Sequence, residues 1–135
     1  RETLEGREPA QLQGFFVGWP YPPSPENHLR LLRGSRHVWL SLEGERVVGF
    51  VNAISDGVMT AYIPLLEVLP EWKGRGIGTE LMQRMLQTLR VYYNIDLMCD
   101  PDVQPFYARL GMIPLGGMVV RHKMADINQK RSADE

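Results

Sequence analysis

The chain has 135 residues, with 15 basic and 16 acidic side chains, a net charge of −1 and a single cysteine, Cys99. This length supports one hydrophobic core, so we predict a single domain over residues 1–124 and a polar, frayed C-terminal tail over residues 125–135. The balanced charge argues against a nucleic-acid interface. The lone cysteine excludes an internal disulfide. The three histidines match no zinc-site spacing, so no metal is expected.

Two helices are predicted in the N-terminal third. Residues 8–16 are expected to form a short helix, because Pro9 lies at an early position where its missing N–H costs little. The proline-rich residues 18–25 can be neither helix nor central strand. Ser24 is a favourable N-cap for a second helix, which is expected to end near Gly34.

The remaining elements alternate between strands and one longer helix, which indicates an α/β chain. Strands are predicted over residues 37–42, 47–54, 58–69, 94–99 and 118–122. The sequence Ser55-Asp56-Gly57 predicts a hairpin between the second and third of them. Between the third and fourth, apolar residues recur at helical spacing and predict an amphipathic helix. They are Leu81, Met82, Met85, Leu86, Leu89 and Tyr92.

The most informative stretch lies between the third strand and this helix. Gly74, Gly76 and Gly78 alternate there, and glycines let a backbone turn tightly with its N–H groups aimed at one point. The helix N-terminus behind them adds the positive end of a dipole, which predicts an anion site, most simply for phosphate. The spacing matches neither the phosphate loop of nucleotide hydrolases nor the dinucleotide pattern Gly-x-Gly-x-x-Gly. An ordinary glycine-rich turn is the alternative.

This stretch, Lys73-Gly74-Arg75-Gly76-Ile77-Gly78, resembles the acyl-CoA loop of the GNAT superfamily of N-acyltransferases. The family loop is Gln/Arg-x-x-Gly-x-Gly/Ala, and it follows a strand that ends in Val-x-Pro. Here Lys73 stands where the family usually has arginine or glutamine, and the cation is kept.

A second motif downstream resembles the closing segment of the same family. Phe106-Tyr107 is followed by three residues, then Gly111 and Met112, with Met112 in place of the usual aromatic residue. The resemblance covers about residues 47–120. It implies an α/β (α+β) fold with a mixed, mostly antiparallel central sheet of about six strands flanked by about four helices. Two of the strands would splay apart at the acyl-CoA site.

The resemblance also implies that acetyl-CoA is the acyl donor. The implied cofactor-binding residues are Leu66, Val68, Lys73, Gly74, Arg75, Gly76, Ile77, Gly78 and Thr79. Pro64 fits the splayed strands, because a proline cannot donate to a sheet ladder and favours a bulge, an edge or a point where strands part. In the family the pantetheine arm enters this gap, where the backbone of Leu66 would polarise the thioester carbonyl and that of Val68 would bind pantetheine.

Attack of an amine on a thioester needs a proton acceptor for the amine and a proton donor for the leaving thiolate. Tyr107 is the candidate acid, because its reference pKa of about 10 lies near the ~8.5 of a thiol and the family has a tyrosine there; a packing role is the alternative. Glu67, a lone carboxylate in an apolar run, is the candidate base. Tyr62, Asp100 and an ordered water are its alternatives. Cys99 is interpreted as a small core residue.

In the family the segment that joins the first two helices, here residues 15–23, lines the acceptor site. Within it, Trp19 and Tyr21 are the candidate acceptor-binding residues, as an apolar or cation–π wall for an amine, with simple packing as the alternative. We therefore predict an acyl-CoA-dependent N-acetyltransferase acting on an unidentified small-molecule or peptide amine. A catalytically silent acyl-CoA-binding module is the alternative. No signal peptide and no apolar run of about 20 residues is visible, so a cytoplasmic protein without membrane contact is expected, and a homodimer remains open.

Overall fold

A computed structural model describes residues 1–122, so the tail predicted over residues 125–135 lies outside the described residues. Four strands form one sheet in the order β1-β2-β3-β4. They are β1 (His37–Glu43), β2 (Arg46–Ser55), β3 (Thr60–Val68) and β4 (Asn94–Leu97). The first three are antiparallel neighbours, and β4 lies parallel to β3. The α-helices are α1 (Pro25–Arg33), α2 (Ile77–Thr88) and α3 (Gln104–Ala108).

The helices α1 and α2 confirm the sequence predictions. The Ser24 hydroxyl accepts the backbone N–H of Asn27 at 3.2 Å and caps α1, which ends just before Gly34. The predicted apolar face of α2 is packed against the sheet. Leu81, Met82 and Met85 are buried within α2, and Leu89 is buried in the 3-10 turn that follows it.

The sheet is covered on both faces, which explains the apolar run in β2. On one side, here called the α1 face, Leu29 and Leu32 pack with Phe50. On the other side, the α2 face, Met82 and Met85 pack with Val51. Successive residues of β2 therefore enter different cores, as the alternation of a strand requires.

The helix predicted over residues 8–16 is wrong. Only Pro9–Leu12 is helical, as a single 3-10 turn. Beyond it, Gly14 and Phe16 adopt left-handed backbone conformations, with φ of 95° and 63°, which no right-handed helix contains. Phe15 and Phe16 are nevertheless buried, because this irregular segment packs on the α1 face. Tertiary packing has overridden the local pattern.

The sheet is also smaller than predicted. The described residues contain four strands and three α-helices, rather than about six and about four. The strand predicted over residues 118–122 is not formed, and residues 113–122 have no regular secondary structure. A strand exists only where a neighbour accepts and donates its backbone hydrogen bonds, and none of the described strands lies beside these residues.

Among the strands that form, two boundaries differ from the predicted ones by two residues, and the others by one residue at most. The third strand begins at Thr60 rather than at residue 58, because the Asp56 carboxylate accepts the backbone N–H groups of Val58, Met59 and Thr60 and closes a turn there. The fourth ends at Leu97 rather than at residue 99, where its pairing with β3 stops.

Pro64 marks the place where the sheet opens. The register of β2 against β3 shifts there, so that one residue of β2 faces both Ile63 and Pro64. This is a β-bulge, one of the positions at which a strand tolerates proline. The pairing of β3 with β4 ends at Ile63, opposite Leu97. From Pro64 to Val68, β3 is therefore paired only with β2, and the predicted parting of the two strands is confirmed.

A buried histidine lies under the N-terminal segment. His28 contacts Phe15, Phe16 and Phe50, with ring centroids 5.4, 4.9 and 4.4 Å away. Neither ring nitrogen makes a regular hydrogen bond within residues 1–122, although the Leu12 carbonyl lies near enough to favour the charged ring slightly. Burial dominates and lowers the pKa of His28 from 6.5 to about 4.

Stability should accordingly fall with acidification. Between pH 7 and pH 5 the unfolded chain binds a proton at His28 that the native chain does not, so the free energy of unfolding should drop by about 2 kcal/mol. His28→Leu should remove this loss in urea titrations, whereas replacement of the exposed His122 by glutamine should keep it. Burial raises the pKa of Glu67, which opposes the loss, and lowers the pKa of His37, which adds to it, but both groups are common to all three proteins. An undiminished loss in His28→Leu would contradict a neutral His28.

Candidate functional site

A pocket of about 210 Å³ lies between the unpaired end of β3 and the irregular N-terminal segment. It is lined by Gly14, Phe15, Val17, Trp19, Leu66, Glu67, Val68, Pro70 and Lys73. The pocket thus combines an apolar and aromatic wall with one carboxylate and one ammonium group. It touches three of the predicted cofactor-binding residues, the candidate base and one predicted acceptor residue.

The glycine loop, residues 73–79, joins this pocket to α2. Gly74 and Gly76 have φ of 79° and 83°, and a Cβ added at either would meet nothing within 4 Å. Glycine is required here for the backbone conformation, and the space that side chains would occupy is open. Gly78 differs, because it lies inside α2, where a Cβ would be 3.8 Å from Val68.

The N-terminus of α2 has the features of an anion site. Its N-cap is Gly76, so no side chain caps the helix. The backbone N–H groups of the first turn, at Ile77, Gly78 and Thr79, consequently have no side-chain acceptor at the cap. Exposed cations flank them, with Lys73 at the loop entry and the Arg75 guanidinium 4.5 Å from the centroid of the Trp72 ring. A phosphate is the ligand that such a helix end favours.

The Glu67 carboxylate lines the pocket and is held by the backbone. Its Oε1 accepts the N–H of Phe16 at 2.9 Å. Burial raises the pKa of Glu67, and the Phe16 hydrogen bond and the Lys73 ammonium partly oppose this rise. Phe16 adopts its left-handed conformation at this contact, so the segment that replaced the predicted helix is the one that positions the carboxylate.

The alternative bases lie elsewhere. Tyr62 precedes the bulge on β3 and is exposed, and Asp100 is exposed after β4. Neither lines the pocket that contains Glu67. Among the carboxylates and the tyrosine that the sequence left open, only Glu67 combines burial with a place in this pocket.

Tyr107 lies in α3 and packs on the α2 face of the sheet, together with Leu66 and Val68. Burial raises the pKa of the Tyr107 hydroxyl, and the nearby Cys99 thiol, when ionised, raises it further. The phenol is therefore protonated near neutral pH, as a proton donor must be. The proximity of Cys99 could not be read from the sequence, because it depends on how α3 is placed beside the chain that follows β4.

Glu67 and Tyr107 approach β3 from opposite faces. Glu67 stands opposite Phe50 in the sheet register, and Phe50 belongs to the α1 face. Leu66 stands opposite Val51, which belongs to the α2 face, where Tyr107 also packs. Because β4 has parted from β3 at this level, the β3 backbone is open between the two side chains. A ligand lying along that backbone could meet a carboxylate on one side and a phenol on the other.

Of the two predicted acceptor-binding residues, one lines the pocket and the other does not. Trp19 lines the pocket, and its ring centroid lies 5.0 Å from that of Phe16. Tyr21 is exposed and does not line the pocket. The implied acceptor segment, residues 15–23, supplies two further pocket residues, Phe15 and Val17. Gly14 was not predicted, because the turn that brings it there depends on two left-handed backbone conformations.

Comparison with known proteins assigns the fold and the motifs to a family. The family model described as "Acetyltransferase (GNAT) family" matches residues 7–112, most of the chain. The chain belongs to this family. The match includes the glycine loop, the parted end of β3 and α3.

Relatives and solved structures agree with the GNAT assignment. The chain is 33% identical over 118 residues to GCN5-related N-acetyltransferase 1, chloroplastic, of Arabidopsis thaliana, covering 84% of this chain and 60% of the relative. It is 34% identical over 118 residues to Serotonin N-acetyltransferase 2, chloroplastic, of Oryza sativa subsp. japonica, covering 82% and 59%. The chain therefore spans about 60% of the length of these curated relatives.

A crystal structure described as an acetyltransferase of Deinococcus radiodurans R1 is 47% identical to this GNAT chain. It superposes with a TM-score of 0.91 over 98% of this chain and 92% of the other.

Within residues 1–122 there is no group of three or more His, Cys, Asp or Glu side chains that could hold a metal ion. No helix in that part is long and apolar enough to cross a membrane.

Proposed function

We propose that this GNAT chain transfers an acetyl group from acetyl-CoA to a primary amine by direct attack on the thioester. The observation that carries the proposal is the opening of the sheet at Pro64, which leaves the backbone of residues 64–68 without a second strand partner. An amide-containing chain such as pantetheine can pair with such a backbone. The strand leads straight into the glycine loop, where the phosphates of the same molecule would bind.

The proposed donor site uses backbone groups more than side chains. Leu66 and Val68 would offer their main chain to the thioester carbonyl and to pantetheine. Gly74, Gly76 and the first turn of α2 would bind the pyrophosphate, with Lys73 and Arg75 supplying positive charge. The donor contributes an acyl group activated by its bond to sulfur. One fixed N–H at the carbonyl oxygen lowers the barrier by about 3 kcal/mol.

In the proposed reaction the amine nitrogen forms a bond to the carbonyl carbon, and the carbon–sulfur bond then breaks. Glu67 takes the amine proton, directly or through one water, and Tyr107 gives a proton to the departing thiolate. The raised pKa of the buried Glu67 carboxyl supports the first role, since a stronger base accepts the proton more readily. No covalent enzyme intermediate forms, so Cys99 needs no nucleophilic role.

Among amines, the pocket favours an aromatic monoamine. Its volume is about 210 Å³, with Phe15 and Trp19 on its wall. A single carboxylate, with the Lys73 ammonium nearby, suits one cationic centre better than the several of a polyamine. The rice relative named as a serotonin N-acetyltransferase is consistent with an acceptor of this chemistry, although that name belongs to the relative.

The decisive experiment measures acetyl-CoA-dependent thiol release with a panel of amines. Serotonin and phenylethylamine represent aromatic monoamines, spermidine a polyamine, and a short peptide an N-terminal amine. We expect turnover with the aromatic monoamines and the highest kcat/KM for one of them. Binding of acetyl-CoA without turnover on any amine would favour the silent acyl-CoA-binding module instead.

A cytoplasmic location remains part of this proposal, while two of the relatives are named as chloroplastic.

Donor binding is tested through the glycine loop. Acetyl-CoA should raise the melting temperature of the wild type, because a ligand that binds only the native state stabilises it. Gly76→Asp should abolish the increase by placing a negative charge at the phosphate site. Gly44→Asp is the matched control, since Gly44 is also left-handed, at φ 61°, with nothing within 4 Å of a built Cβ, but lies in the β1–β2 turn. Equal increases in both variants would reject the loop assignment.

A further inference from the structure

The pocket beside the open end of β3 contains a primary amine of the chain itself. Lys73 is the only lysine in residues 1–122, and it lines the same pocket as Leu66 and Glu67. A 3-10 turn over Pro70–Trp72 follows β3, and the Lys73 N–H closes this turn on the Pro70 carbonyl at 3.3 Å. The turn brings Lys73 back beside the end of β3, although seven residues separate it from Leu66 in the sequence.

The Lys73 amine is free to react. Within residues 1–122 its ammonium group makes neither a hydrogen bond nor a salt bridge, although its charge acts on Glu67 and lowers the pKa of that carboxyl against the effect of burial. A lysine has an ordinary pKa of about 10.4, so near neutral pH it needs a base before it can attack a carbonyl. Glu67 is the one carboxylate among the residues that line this pocket.

We propose that Lys73 is a self-acetylation site, at which the chain transfers the acetyl group of its bound acetyl-CoA to the Lys73 amine when no other acceptor occupies the pocket. This inference rests on the proposed function, because it uses the same donor and the same base. The Lys73 nitrogen forms a bond to the carbonyl carbon, and the carbon–sulfur bond breaks. The ammonium group loses two protons in the process. One ends on the sulfur of CoA and the other is released to solvent, so acetyl-CoA is the only co-reactant.

The modification limits its own progress to one event and weakens the site. It converts the Lys73 ammonium to a neutral amide, which removes a positive charge from the entry of the glycine loop, so acetyl-CoA should bind less tightly. Glu67 also loses the cation that lowers its pKa, so the acid limb of the pH–rate profile should move to higher pH. The added acetyl group further takes up part of a pocket of only about 210 Å³.

The test incubates the folded chain with deuterated acetyl-CoA in the absence of any amine and follows each lysine by peptide mass spectrometry. Lys123 and Lys130, the other lysines of the chain, report direct chemical acetylation. Because a positioned base accelerates the reaction, Lys73 should be acetylated at least about tenfold faster than either. The rate constant should not depend on protein concentration, because the transfer takes place within one chain. Equal rates at the three lysines, or a rate constant proportional to protein concentration, would overturn the proposal.

Removal of the base separates transfer in the pocket from chemical acetylation. Glu67→Gln should slow acetylation of Lys73 by about 10²-fold. Chemical acetylation predicts no slowing, because loss of a neighbouring negative charge lowers the pKa of a lysine and leaves more of it unprotonated. Glu71→Gln is the matched control, since Glu71 lies two residues from Lys73 but pairs with Arg46 outside the pocket, and it should keep the wild-type rate. An unchanged or faster reaction of Lys73 in Glu67→Gln would reject a role for the pocket.

Thiol release with the amine panel, measured on the same preparation, distinguishes failure of this inference from failure of the proposed function. Turnover on an amine while Lys73 stays unmodified rejects self-acetylation alone. Acetylation of Lys73 without turnover on any amine supports self-acetylation and rejects the amine acceptor. The acetylated chain should also bind CoA at least about tenfold more weakly in calorimetric titrations, as expected for a lost charge pair. An unchanged Kd would overturn the weakening of the donor site.

Discussion

Tyr107→Phe should lower kcat by about 10²–10⁴-fold while the affinity for CoA stays nearly unchanged. The substitution removes one hydroxyl and keeps the ring that packs on the α2 face. The thiolate would then leave without a proton donor, so the loss should appear in the chemical step. Single-turnover kinetics and calorimetric titration of CoA measure the two quantities separately.

Tyr93→Phe is the matched control, because it is the same replacement at a tyrosine that is 88% exposed. It should change neither kcat nor CoA affinity. If turnover of Tyr107→Phe on a good acceptor equals that of the wild type, Tyr107 is a packing residue and another group or solvent protonates the thiolate. The Cys99 thiol, which lies near the phenol, would be the next group to replace.

Glu67→Gln should cost about 10²-fold or more in kcat/KM near neutral pH and flatten the acid limb of the pH–rate profile. In the wild type the limb should lie above the range of an ordinary carboxyl, since burial raises the pKa of Glu67. Activity should rise with pH as the carboxylate forms. The variant should approach the wild type at higher pH, where more of the amine is already deprotonated.

This loss should not come from unfolding. The glutamine retains an oxygen that can accept the Phe16 N–H, and it removes a charge that burial disfavours. Because burial raises the pKa of Glu67 in the native state, ionisation of this carboxyl lowers the free energy of unfolding at higher pH. Glu67→Gln should therefore be at least as stable as the wild type at pH 7. Glu71→Gln, at an exposed carboxylate of the neighbouring loop, is the control and should keep the wild-type profile. A wild-type profile in Glu67→Gln would transfer the base role to Tyr62, Asp100 or bound water.

Features that depend on local chemistry were predictable from the sequence. Ser24 and Gly34 bound α1, and the glycines of the loop determine where the chain turns into α2. The parting of the strands was predictable because Pro64 cannot donate a hydrogen bond. The catalytic roles of Tyr107 and Glu67 remain predictions, although the structure adds the burial that their chemistry needs.

Features that depend on distant partners were not predictable. Pro9 fits the start of a helix over residues 8–16, yet Phe16 has a left-handed backbone that only its packing and its bond to Glu67 explain. The apolar residues at 118–120 fit a strand, but no strand of residues 1–122 pairs with them. The pocket residue Gly14 follows from the same turn, which has no local signature.

The bulge at Pro64 also determines which changes of length β3 can accept. Ala61 and Ile63 face α2 before it, and Leu66 and Val68 face α2 after it, so the bulge reverses the alternation of the strand. In a regular strand Glu67 would point into the core beside Met82. Deleting Pro64 would remove the extra residue of the bulge and leave Glu67 opposite Phe50 in a regular strand, with Ile63 and Leu66 still facing α2. Alignments of variants and deletion scans should therefore allow β3 to lose this one residue without exchanging the carboxylate for a leucine.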